Sequence, residues 1–307
     1  MSKLISGIQQ IGVGVPNVYE AWKWYKENFG MDIRIFEDDT VAELMLPYTG
    51  GKPHKRHAAL AMNMSGGGGF EIWQYTSRTP VAANFDIQLG DLGINIAKIK
   101  SPNAEKAYNE FKSRNLEILG DFYEDHFFVK DLYGNIFQVI QEADFFKKTG
   151  KLTGAVAGAI IGVTNIDNAR KVYSDILGYD EVVYDKEEVF GDFANLQGGN
   201  NKFRRVLLKS SKKREGSFSQ LLGESYIELV QVLDREPKKI FENRFWGDLG
   251  YIHLCYDISG MNSLKKDCEA LGFPFTVDSS VKHNEDNSFD MGEAAGHFSY
   301  IEDPDGT

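Results

Sequence analysis

Asn17-Val18-Tyr19-Glu20-Ala21-Trp22-Lys23-Trp24-Tyr25-Lys26-Glu27-Asn28-Phe29-Gly30-Met31-Asp32 is answered 148 residues later (165 − 17) by Asn165-Ile166-Asp167-Asn168-Ala169-Arg170-Lys171-Val172-Tyr173-Ser174-Asp175-Ile176-Leu177-Gly178-Tyr179-Asp180. The opening Asn, Tyr25 and Tyr173, Gly30 and Gly178, and Asp32 and Asp180 stand in step. Further along, Glu71-Ile72-Trp73-Gln74 is matched by Glu228-Leu229-Val230-Gln231, and Gly90-Asp91-Leu92-Gly93 by Gly247-Asp248-Leu249-Gly250, both at 157 (228 − 71, 247 − 90). Asp131-Leu132-Tyr133-Gly134 is matched by Asp303-Pro304-Asp305-Gly306 at 172 (303 − 131). The offset grows while the order holds, so the extra residues belong to loops. The chain reads as a duplication, with its junction near residues 147–154.

Each half divides again. In the first, residues 8–15 read as a strand, and Tyr19, Trp22, Tyr25, Lys26 and Phe29 lie at helical spacing before Gly30, a suitable helix stop. Strands are predicted over residues 32–36, 41–46, 57–62 and 70–75. A strand over 93–99, a helix over 104–113 and strands over 127–130 and 136–141, joined by a turn at 131–135, complete the half. Both halves therefore read as two β-α-β-β-β units. The fold class is α+β, and the predicted domains are residues 1–146 and 153–307.

The chain has 307 residues, ample for two cores. A formal net charge of −11 argues against a nucleic-acid partner, whose phosphates demand Lys and Arg. Cys255 and Cys268 are the only cysteines and offer no disulfide framework. The N-terminus lacks a signal peptide's apolar stretch, and no segment is apolar for the ~20 residues a membrane span needs. These features place the protein in the cytoplasm, away from membranes.

A strand and helix ending Tyr-x-x-x-Phe/Leu-Gly, a Glu-x-x-Gln strand and an Asp-x-x-Gly turn before a last strand, in that order and twice over, resemble the vicinal-oxygen-chelate superfamily of glyoxalase, bleomycin-resistance and ring-cleaving dioxygenase proteins. The resemblance covers nearly the whole chain. It implies two tandem domains, each of paired βαβββ modules forming a curled sheet with an open cleft. It also implies where ligands of a metal would stand. In the first half these positions carry Gln10, Glu71, Ile96 and Gln138, one carboxylate with two amides and an Ile, so this cleft is expected to be polar-lined and free of metal. In the second half they carry Gly158, Glu228 and His253, and the fourth falls past Thr307, so the closing strand is expected to be missing from this sequence.

The resemblance thus makes Glu228 and His253 the visible members of a site for a divalent metal ion (Zn, Ni, Mn or Fe) in the C-terminal domain only, with Glu228, or the residue at the fourth position past Thr307, moving the proton. The implied activity is that of a glyoxalase- or epimerase-like lyase or isomerase, acting on a small oxygenated molecule through an enediolate-type intermediate. The alternative is a non-catalytic small-molecule binder of the bleomycin-resistance type, with Trp73, Tyr75, Phe70 and Tyr226 as cleft walls. A ring-cleaving dioxygenase is disfavoured, because its first iron-binding His falls on Gly158. The positions that would contact glutathione carry Gly14, Tyr75, Gly162 and Val232 instead of Arg and Asn. The partner expected is a small molecule, and the edge-to-edge pairing common in the superfamily leaves an oligomer open.

Among the remaining histidines, His126 and His297 are expected on opposite strand faces, and His54, His57 and His283 at the surface. The run Gly66-Gly67-Gly68-Gly69 precedes a strand, unlike a phosphate cradle, and reads as a flexible loop at a cleft mouth.

Overall fold

The computed structural model describes residues 2–279, 290, 291, 294, 295 and 298–307; His283 and His297 lie outside them. The first module runs β1 (Leu4–Gly14), α1 (Val18–Phe29), β2 (Ile33–Val41), β3 (Lys55–Met62) and β4 (Gly69–Tyr75). The second runs β5 (Gly93–Ser101), α2 (Ala104–Ser113), β6 (Ile118–Tyr123), β7 (His126–Lys130) and β8 (Ile136–Gln141). The third comprises β9 (Val156–Gly162), α3 (Ile166–Arg170) with a wider π turn to Ile176, β10 (Glu181–Glu188), β11 (Phe203–Lys209), the short α4 (Ser219–Leu222) and β12 (Tyr226–Val232). The fourth contributes β13 (Gly250–Ser259), α5 (Met261–Ala270) and the two-residue β14 (Val277–Asp278), which pairs with Ser299 and Tyr300. No described helix is long and apolar enough to cross a membrane.

The repeated segment works as its residues suggest. The Asn17 side chain accepts from the Tyr19 and Glu20 amides and caps α1, while Gly30, at φ 63°, closes it in the left-handed conformation that glycine adopts without a Cβ penalty. Asn165 caps α3 in the same way. The predicted strands at 32–36 and 41–46 are corrected to the single β2: the apolar residues Ala42, Leu44 and Met45 that suggested a second strand leave the sheet and line a cavity instead.

The pairing of modules also corrects the expectation that each half closes on its own sheet. One sheet has the order β13-β1-β4-β3-β2 and the other β10-β11-β12-β9-β5-β8-β7-β6. The first module therefore shares a sheet with the fourth, and the second with the third. Two repeated ion pairs stitch these partners together. Arg78, just after β4, binds the fully buried Asp248 at 2.5 Å, and Arg235, just after β12, binds the buried Asp91 at 2.7 Å. Both partners of one pair stand 157 from those of the other (235 − 78, 248 − 91). Gly14 and Gly162 permit the close approach, since a Cβ on either would lie 2.0 Å from the carbonyl oxygen of Asp248 or Asp91. The helices join the other way round: the Tyr25 hydroxyl donates to Asp131 at 2.7 Å and Tyr173 to Asp303 at 3.0 Å, tying first to second and third to fourth. One continuous core, including Tyr25, Phe137, Ile161 and Tyr251, fills the space between the sheets.

Arg78→Met removes a charge-assisted bond that helps to bind the first module to the fourth. Asp248 keeps the Val81 and Phe245 amides, so the expected loss is about 2 kcal/mol by urea denaturation. A loss below ~0.5 kcal/mol would mean that the pair holds nothing together.

The glycine run is a further correction, for it is buried and bonded. The Gly67 amide donates to Leu221 O and the Gly68 amide to Val156 O, and a Cβ on Gly67 would meet that Val156 oxygen at 2.7 Å.

Candidate functional site

Sheet pairing decides which of the expected residues meet. On β1, Gly12 lies opposite Glu71 of β4 on one side and His253 of β13 on the other. Its missing side chain makes room for the imidazole, because a Cβ there would fall 2.5 Å from His253 Cε1. Gln10, two residues earlier on the same face, donates from Nε2 to Glu71 Oε2 at 2.7 Å, and His253 Nε2 lies 3.2 Å from the same oxygen. Burial pushes the Glu71 carboxyl up, but the bond and charge of His253, with Arg56 and Gln10, outweigh it and hold it below the usual carboxylate range. On the far side of the imidazole, Tyr300 Oη is 3.5 Å from Nδ1, and the Trp246 ring lies parallel at 5.8 Å between centroids.

These residues stand on the wall of a cavity of about 1440 Å³, shared by Trp73, Trp246, Phe245 and Tyr300. Tyr75 does not reach it. It packs edge-on to Trp73 and donates its hydroxyl to the Trp246 carbonyl, so it positions the loop that carries the wall. Cys255, two residues past His253, also lines the cavity; burial, reinforced by Glu71, pushes its thiol up to about 12.

The equivalent cleft between the second and third modules holds Gly158, Ile96, Gln138 and Glu228 at matching register positions. It is filled. Lys98 Nζ lies 2.5 Å from Glu228 Oε2 and donates to Gln138, while Arg205 binds Glu228 Oε1 and, at 2.7 Å, Asp192. The Tyr184 hydroxyl adds a 2.8 Å bond to Glu228, and the Arg205 guanidinium rests 4.1 Å above the Phe193 ring. Burial would raise the Glu228 carboxyl, but Arg205 and Lys98 prevail and hold it far below its ordinary range. Lys98 is itself lowered, chiefly by burial.

Three site assignments are thereby corrected. Glu228 and His253 are on different sheets and share no site. Both Glu228 oxygens are engaged by buried cations, which argues against its expected part in moving the proton. Glu71 and Gln10 do not stand in a cleft with Ile96 and Gln138; they meet His253. Ile96 and His253 do hold equivalent places: Ile96 lies opposite Ile160, and His253 lies opposite Gly12, the residue that Ile160 repeats. Sequence reasoning missed Lys98 and Arg205, although a Lys alternating into the apolar strand at residues 93–99 was a signal, because a buried ammonium demands a partner.

Among the described residues the other histidines, His54, His57 and His126, do not line the cavity. His126 reaches Asp125 at 2.9 Å and Asp192 at 3.3 Å, at the border of the filled cleft. His57 is buried between Glu37 and Asp39, which corrects its surface assignment, and the more exposed His54 contacts Ser77 Oγ.

No family model matches the chain, and no curated protein matches it in sequence. Solved structures do resemble it. Glyoxalase I from Zea mays aligns with a TM-score of 0.56 at 13% identity, over 99% of this chain and 90% of that one. A mutant of that enzyme aligns with a TM-score of 0.52 at 14% identity, over 99% and 91%. A candidate dioxygenase from Bacillus subtilis aligns with a TM-score of 0.59 at 12% identity, over 99% and 84%. At such identities the likeness speaks for the fold and leaves the reaction to the residues of the cleft. The chain is a four-module α+β protein with a fold like that of glyoxalase I, with one cleft open and the other filled by its own side chains.

Proposed function

We propose that the chain is a metal-dependent lyase or isomerase of the glyoxalase type, acting beside a carbonyl in a small oxygenated molecule, with Gln10, Glu71 and His253 as its centre. The observation that carries this reading is the convergence of three donors from three strands on one cavity wall, with Gln10 and His253 both within 3.2 Å of Glu71 Oε2. An imidazole, a carboxylate and an amide oxygen suit Zn, Ni, Mn or Fe(II). Gln10 would ligate through Oε1, after a half-turn of its amide. Among the described residues no three His, Cys, Asp or Glu side chains gather, so the amide is needed as third donor.

A bound divalent metal would polarise the substrate's oxygens as a Lewis acid. The chain's own groups would do the rest. Tyr300 and the parallel Trp246 ring fix the His253 imidazole, as outer partners of a metal-binding histidine do. With Oε2, the oxygen that Gln10 and His253 both face, given to the metal, Glu71 would have Oε1 left to take a proton from substrate carbon and return it.

The test is metal analysis of protein dialysed against Zn²⁺ or Ni²⁺, followed by NMR of solvent-deuterium exchange at the carbon next to the carbonyl of 2-hydroxyacetophenone. Stoichiometric metal and metal-dependent exchange are expected. Ligand binding without metal uptake or exchange would instead establish the non-catalytic binder, a reading that the aromatic walls favour.

A further inference from the structure

We infer that the open cleft selects a ligand with a flat aromatic ring next to its metal-directed oxygens and no polyanionic handle. This deepens the proposed function and rests on its placing of the donor set at Gln10, Glu71 and His253.

Two independent features carry it. The first is the wall beside the donors. Trp246 lies parallel to His253, with only 5° between the planes, and Tyr300 stands edge-on to both, at 6.1 Å from Trp246 and 5.6 Å from His253. Trp73 meets Trp246 edge-on at 4.8 Å, and Tyr48 lies 6.2 Å from Tyr300. A planar ring entering beside the donors therefore meets aromatic faces and edges, the arrangement in which ring pairs attract beyond their buried area. Aliphatic ligands gain only the area term.

The second feature is charge. The cavity's guanidinium groups are already committed: Arg56 to Asp38, and Arg244 to the carbonyl oxygens of Val81, Ile240 and Leu249. Lys239 is the one lysine among the described lining residues, against the carboxylates of Glu71, Glu242, Glu302 and Asp257. A ligand bearing several carboxylates or phosphates would meet this acidic wall without a free guanidinium to receive it.

The experiment is calorimetric titration of the purified chain with 2-hydroxyacetophenone, hydroxyacetone and S-benzylglutathione, with Zn²⁺ and after EDTA treatment. The aryl ketone is expected to bind at least about tenfold tighter than hydroxyacetone, and tighter than S-benzylglutathione. Trp246→Leu and Tyr300→Leu should each cut the aryl preference to about threefold or less. Equal binding of the two ketones, a preference that survives both substitutions, or tighter binding of S-benzylglutathione would overturn the inference. The EDTA arm separates it from the metal reading. An aryl preference in protein that takes up no Zn²⁺ supports the inference while the metal reading fails, and Zn²⁺ uptake without an aryl preference does the reverse.

Discussion

Glu71→Gln and His253→Ala should each lower metal affinity by more than ~100-fold, the upper range for loss of even an outer partner of a metal ligand. Each removes one of the two strong donors, and the remaining ligand with an amide holds a divalent ion poorly. Both variants should stay folded, since the two side chains line a cavity and are not packed in the core cluster. Thermal unfolding monitored beside metal analysis separates the effects. Glu228→Gln serves as the counter-test, because its carboxylate belongs to the filled cleft. If folded Glu228→Gln loses metal while Glu71→Gln keeps it, the centre has been placed in the wrong cleft. Uptake should weaken on acidification, because imidazole and carboxylate must be unprotonated to ligate.

Glu228→Ala should be the most damaging single change to stability. It leaves Lys98 buried without its carboxylate and strips Arg205 of one of two partners. Removing one member of a buried ion pair costs about 3–5 kcal/mol, whereas replacing the pair with apolar groups of similar size is often neutral. The pair Lys98→Met with Glu228→Leu should therefore regain more than half of the loss in guanidinium denaturation. A single-variant loss under ~1 kcal/mol would show that the network is hydrated and contributes little. The pH dependence has a definite sign. Glu228 is depressed in the folded protein, so its contribution is present above the ordinary carboxylate range near ~4.3 and is lost only as pH falls through its much lower folded value. The wild-type excess over Glu228→Gln should thus persist at pH 5 and shrink in strong acid.

Much of this was legible in the chain. Periodicity and punctuation locate the helices and most strands, because Asn17, Gly30, Asn165 and Gly178 act on their own segments through local hydrogen bonds and backbone freedom. The family resemblance, carried along the repeat, also implies Gln10, Glu71 and His253 as cleft positions, and strand alternation allows them to share a face. What the chain alone left undecided was which module pairs with which, and that choice determines the site. Offsets of 148, 157 and 172 relate equivalent positions (165 − 17, 228 − 71, 303 − 131), and they are silent on whether β13 bonds to β1 or to β9. The contacts that settle it, Arg78 with Asp248 and Arg235 with Asp91, run over 170 and 144 residues (248 − 78, 235 − 91) and exist only when the sheets have formed. Glu71 and Glu228 illustrate the outcome. They are the same letter at the same place in the repeat, yet one faces an imidazole across a glycine beside an open cavity, and the other is closed in by Lys98 and Arg205. The modules thus follow from local patterns in the chain, and the candidate cleft residues from the family resemblance. Which carboxylate stays available is settled only on folding, because availability depends on charges brought alongside it from distant segments.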